Sequence, residues 1–123
     1  MPGSPHILVV DDEVLATMAL EHGLLDDGFA VTTALDGQEA WQRWREEPFD
    51  ALVTDLRMPL MTGDTLIRHI REEAPHVPVI VVSGYATNEV SERLKADVQP
   101  PFAVMPKPVR VEDIVGALKR MLG

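Results

Sequence analysis

The chain has 123 residues, 46% of them hydrophobic and 25% charged, with 20 acids against 11 bases for a net charge of −9. That size bounds it to one domain with one core, and the acidic balance argues against a nucleic-acid-binding surface. No cysteine occurs, which excludes disulfides and thiolate metal sites and fits a cytoplasmic location; no apolar run reaches the ~18 residues of a membrane span, and MPGSPHILVV lacks the basic opening of a signal peptide.

Residues 1–5 read as a tail. HILVV (6–10) is a near-continuous apolar run, as in a strand buried on both faces. Over 13–27, Leu15, Met18, His22 and Leu25 recur at helical spacing. Gly28 then offers a left-handed stop, with Phe29 folding back on the last turn. AVTTA (30–34) is a weaker strand suited to an edge. Asp36 and Glu39 resemble a capping box that opens a helix through Glu47, with Ala40, Trp41 and Trp44 on one face. ALVT (51–54) is another buried strand. Leu66, Ile67, Ile70 and Ala74 stripe a helix over 61–74. VPVIVVS (77–83) is the fourth strand, and a short helix follows over 87–96. FAVM (102–105) is the fifth strand. Ile114, Val115, Leu118, Met121 and Leu122 mark a last amphipathic helix over 110–122. No output domain is expected beyond it.

Five strand-then-helix units imply an α/β domain, a doubly wound parallel sheet with right-handed crossovers. Ligands of such sheets bind at the carboxyl ends of the strands. Asp11, Asp12 and Glu13 follow the first strand, Asp55 the third, Ser83 and Gly84 end the fourth, and Lys107 follows the fifth. Each alone has an ordinary reading: a helix cap for Asp11 or Asp12, a turn residue for Asp55, a loop for Ser83 and Gly84, a solvated charge for Lys107. Together they bring carboxylates, a hydroxyl and an ammonium to one crevice. Clustered carboxylates repel, and a hard divalent cation with oxygen ligands relieves that conflict. An ammonium suits a phosphoryl oxygen. The set describes phosphoryl transfer to or from a carboxylate.

The stretches ILVVDDE, LVTDLRMPLMTG, VIVVSGYA and MPKPV, in this order, resemble the receiver domain of bacterial two-component response regulators, over residues 6–122. The resemblance implies a flavodoxin-like (βα)5 fold with strand order 2-1-3-4-5. It implies Asp55 as phosphoacceptor, with a histidine kinase or histidine phosphotransfer protein as donor. Mg²⁺ or Mn²⁺ would be held by Asp11, Asp12, Asp55 and the Arg57 backbone carbonyl. Ser83, Gly84 and Lys107 would bind the phosphoryl group, Pro59 and Gly63 would shape the loop after Asp55, and the Lys107–Pro108 bond would be cis. An output protein or a parent hybrid kinase would be the further partner. No metabolic substrate is implied, only phosphorylation and autodephosphorylation at Asp55.

Two features depart from the family pattern. Val104 stands where many receivers carry Tyr or Phe, and Phe102 faces the same side but sits two strand steps away, roughly 6.6 Å. The segment before the last strand has Pro100–Pro101 and about two more residues than many members carry, so the fourth helix is expected to be short or shifted. Arg57 and Tyr85 flank the expected phosphoryl position and are expected to slow its hydrolysis. Two other readings are a phosphorylation-independent pseudo-receiver that binds partners and a Mg²⁺-dependent aspartyl-phosphate phosphohydrolase. The latter commonly needs D-x-D after the first strand and a cap insert, and neither is present.

Overall fold

The computed structural model describes residues 3–84 and 87–123. Five strands alternate with five helices: β1 His6–Val10, α1 Val14–Asp26, β2 Ala30–Ala34, α2 Gly37–Glu46, β3 Ala51–Thr54, α3 Gly63–Glu73, β4 Val79–Ser83, α4 Asn88–Asp97, β5 Phe102–Pro106 and α5 Val111–Leu122. All strand pairs are parallel, in the order β2-β1-β3-β4-β5. The expected architecture and strand order are therefore both present.

Alternation along the strands splits the core into two layers. Leu8, Val10, Leu52, Val79 and Val81 face α2, α3 and α4, where Leu66, Ile67, Ile70 and Leu94 meet them. Ile7, Val9, Val53, Ile80 and Val82 face α1 and α5, against Leu24, Ile114 and Leu118. The central strands β3 and β4 are buried along their whole length, while β2 and β5 are only partly covered. This is the pattern expected of near-continuous apolar runs between weaker edges.

Helix ends follow local chemistry. Gly28 has φ +89°. Its N–H donates to the Leu25 carbonyl and that of Phe29 to the Leu24 carbonyl, closing α1 with a Schellman motif. The Asp36 carboxylate accepts from the Glu39 N–H at 2.7 Å. Glu39 in return accepts from Leu35, one residue before the position a capping box would use.

Several boundaries differ from the sequence reading by one or two residues, and three of them have a clear local cause. β4 begins at Val79, not 77, since Val77 donates back into the turn at Ala74 and Pro78 has no N–H to give. α3 begins at Gly63, because extended Thr62 ends a loop that carries Leu60 at φ 71°. α4 runs one residue further, to Asp97, capped by the Thr87 hydroxyl. Within α1, the stripe of Leu15, Met18, His22 and Leu25 is not the buried one. Leu15 is 81% exposed and Met18 57%, whereas Thr17 and Leu24 are buried. α1 is apolar on two sides, and the face carrying Leu24 is the one that meets the sheet.

Candidate functional site

The parallel ladder runs one residue past two strand ends. Asp11 N–H donates to the Ala34 carbonyl and Asp55 N–H to the Val10 carbonyl. Both acids are thereby fixed by the sheet at its carboxyl edge, on neighbouring strands. Asp11 and Asp55 are 8% and 7% exposed, while Asp12 is open to solvent. One oxygen from each of the three carboxylates falls within a group spanning 4.8 Å.

Each buried carboxylate spends one oxygen on its own backbone. Asp11 Oδ1 accepts from the Glu13 N–H at 2.9 Å, which starts α1. Asp55 Oδ1 accepts from the Leu56 N–H at 2.6 Å. Their second oxygens turn to Lys107, whose Nζ lies 2.7 Å from Asp11 Oδ2 and 3.1 Å from Asp55 Oδ2, with Glu13 at 3.7 Å. Burial alone would lower the Lys107 pKa. The hydrogen bonds and negative charges of Asp11 and Asp55 outweigh it and raise the pKa above the ordinary lysine value.

Lys107 reaches this point because its N–H donates to the Ser83 carbonyl, extending the β4–β5 ladder. The Lys107–Pro108 bond is cis, as the resemblance implied, and Pro100–Pro101 is cis as well. Ser83 is fully buried. Gly84 is exposed, with open space where a Cβ would stand. Tyr85 lies outside the described residues.

In the loop after Asp55, Gly63 donates to the Leu56 carbonyl, and a Cβ there would collide with the Asp55 carbonyl. Glycine is thus required by close approach. The Pro59 carbonyl accepts from Met61, and Arg57 is exposed. Val104 and Phe102 pack on the same core layer, as strand alternation required.

The sequence reading placed Glu13 at this edge without giving it a role, and it did not name Thr54. Glu13 adds a third carboxylate to Lys107, and its place directly after the acid pair was the available signal. Thr54, 1% exposed, bonds the Asp55 carbonyl through its hydroxyl at 2.8 Å. A hydroxyl inside an otherwise apolar strand is the kind of residue worth flagging.

The donor set fits a hard divalent cation: oxygen ligands only, two buried carboxylates and one exposed, grouped closely enough to share an ion. A parallel α/β sheet with such an acid cluster and a lysine at its carboxyl edge defines a class of phosphoryl-handling signalling domains. The chain belongs to the response regulator receiver domain family, whose model matches residues 7–119. It is 35% identical to the sensor kinase CckA of Brucella abortus over 99% of this chain and 13% of that protein. It is also 35% identical to the transcriptional regulatory protein PrrA of Mycobacterium tuberculosis, over 97% of this chain and 50% of that protein. The chain spans half the length, or less, of these curated relatives. Its fold superposes on a CheY-like response regulator receiver domain protein from Methanospirillum hungatei with a TM-score of 0.89 and 27% identity, covering 98% of this chain and 94% of that one. The chemotaxis response regulator CheY4 of Vibrio cholerae gives 0.85 and 28%, covering 96% and 98%.

Proposed function

We propose that residues 6–122 act as the phosphoacceptor receiver of a two-component or phosphorelay pathway, with Asp55 taking a phosphoryl group from a phosphohistidine. The observation that carries this is the pairing of Lys107 with both Asp11 and Asp55, at 2.7 and 3.1 Å, beside an acid cluster suited to Mg²⁺. In the reaction an Asp55 carboxylate oxygen attacks phosphorus, the P–N bond to the histidine breaks, and the imidazole leaves with that electron pair. The Leu56 N–H holds the plane of the carboxylate. Lys107 stands within reach of the arriving phosphoryl oxygens, and its ammonium offsets their charge. Ser83 and Gly84, next to the Lys107 segment, supply a hydroxyl and an amide to the same group. Mg²⁺ or Mn²⁺, held by Asp11, Asp12, Asp55 and the Arg57 carbonyl, supplies charge neutralisation for the phosphoryl oxygens when bound. Arg57, in the loop after Asp55, screens the phosphorylated residue from water, and Pro59 and Gly63 fix that loop.

The donor is a histidine kinase or a histidine phosphotransfer protein. Exposed Val14, Leu15 and Met18 on α1 and Leu60 in the loop after Asp55 offer it an apolar rim next to the acids. Output passes to a separate protein or to a parent hybrid kinase, in the cytoplasm. No helix among the described residues is long and apolar enough to cross a membrane. With Val104 at the position of the common aromatic, the signal leaves Ser83 without that ring.

Intact-mass measurement after incubation with Mg²⁺ and acetyl phosphate tests the reading. The expected result is a transient gain of about 80 Da, one phosphoryl group, in the wild type and none in Asp55→Asn. No adduct with any donor, cognate kinase included, would leave the pseudo-receiver reading in its place.

A further inference from the structure

A cavity of about 450 Å³ opens directly beneath the acid site, between α1 and α5. Val53 and Val82 of the sheet floor it, Ala16 and Ala19 line the α1 side, and Val111 lines the α5 side. The cavity has a local cause. α1 presents only methyl groups at positions 16 and 19, and Gly23 lets α1 close against Val111 further along. Its volume falls in the range of small-molecule sites, which are mostly apolar with a few converging polar groups.

Its charged lining groups are Asp11, Asp55 and Lys107, which lie together at the carboxyl edge of the sheet, and its other polar group, the Thr54 hydroxyl, is already bonded to the Asp55 carbonyl. Asp12 belongs to the same acid cluster, and Glu13 lies 3.7 Å from Lys107 Nζ. Three carboxylates, Asp11, Glu13 and Asp55, thus surround the Lys107 ammonium, and Asp12 adds a fourth negative charge to the same edge. Without a divalent cation, an anionic head placed here would meet more carboxylates than the one Lys107 ammonium offsets, and a wholly apolar ligand would strip water from them without replacing it. A cationic head on an apolar body satisfies both halves of the site.

We propose that this cavity binds a small amphipathic amine, its apolar body between α1 and α5 and its ammonium among the carboxylates at that edge. Such a ligand competes with the divalent cation and leans against the Lys107 segment, so its binding restrains phosphorylation of Asp55. The cavity and its charge do not depend on Asp55 being a phosphoacceptor, and the binding test below stands apart from the mass assay.

The test is a two-dimensional ¹H–¹⁵N titration of the full chain in Mg²⁺-free buffer. The probes are 2-phenylethylamine, its neutral isostere 2-phenylethanol and its anionic isostere 3-phenylpropionate. The amine is expected to give saturable shifts centred on Ala16, Ala19 and Val111, with the alcohol weaker and the carboxylate weakest. Ala19→Leu fills the cavity from an exposed helix position that tolerates leucine, and should weaken the amine by at least about tenfold. Circular dichroism and the unchanged Asp55 adduct would show that this variant is folded. Added Mg²⁺ should raise the apparent Kd of the amine. The proposal fails if the amine does not saturate, if the carboxylate binds as well, if Ala19→Leu binds unchanged, or if Mg²⁺ has no effect.

Discussion

Lys107 shows how one side chain joins stability to function. Its side chain is three-quarters buried, and its ammonium is tied to two carboxylates that would otherwise face each other. Because its pKa is raised in the folded chain, the folded state holds this proton where the unfolded state has begun to lose it. The stabilisation is therefore complete below the ordinary lysine value of 10.5 and is lost as pH rises from there through the raised folded value. In Mg²⁺-free buffer, the urea-midpoint difference between wild type and Lys107→Met should be flat from about pH 7 to about pH 10 and shrink above it. Other groups that titrate in alkali are common to both proteins and cancel. A difference that stays constant well into that alkaline range would remove the linkage. The residue types at this site were legible in the sequence, because Asp, Ser and Lys each end or follow a strand. The order of contacts was not: that Glu13 joins Lys107, and that Thr54 bonds the Asp55 carbonyl, depends on side-chain directions a linear pattern does not carry.

At the scale of elements, the strands were the most legible part, since runs such as VIVVS can only be satisfied between two layers of helices. α1 was the least. Leu15 and Met18 have the spacing of a core face, but so do Leu20 and Leu24, and only the sheet decides between them. The junction between α4 and β5 was legible only as unusual. What holds it is distant in sequence: Arg71 of α3 donates to the carbonyls of Pro75, Gln99 and Pro101 at 3.1, 2.7 and 2.8 Å. Burial lowers the pKa of this guanidinium, yet it remains a cation bound to carbonyl oxygens. Its planar fork spans acceptors in two loops, a reach that a lysine lacks. Arg71→Ala should therefore cost about 1.5–3 kcal/mol in urea unfolding, the range for charge-assisted hydrogen bonds. These loops lie at the amino ends of β4 and β5, opposite the acids, so the Asp55 adduct should form at the wild-type rate. A lost adduct at full stability would mean that Arg71 acts on the site and not on the fold.

At the scale of the whole molecule, topology converts separate sequence positions into one charged edge. Residues 11, 12, 55 and 107 meet because β1 and β3 are neighbours and β5 runs parallel to both. The same arrangement concentrates part of a net charge of −9 at one point, where it opposes folding until a cation is present. A ligand that binds only the native state stabilises it by mass action, about 2.7 kcal/mol at one hundred times its Kd. For a chain of this size that is a rise in Tm of roughly 4 °C per kcal/mol. General screening of the acidic surface would also raise Tm, and the two must be separated. Asp12 does this: it is exposed and, among the described residues, makes no hydrogen bond or ion pair. Replacing it removes one of the three carboxylates grouped closely enough to share an ion, while leaving the packing and the Lys107 contacts in place. With ionic strength matched by choline chloride, MgCl₂ should raise the Tm of the wild type by several degrees, roughly as this linkage requires. Asp12→Asn should follow the choline control. Equal shifts in both proteins would assign the effect to screening alone and take the cation away from this cluster.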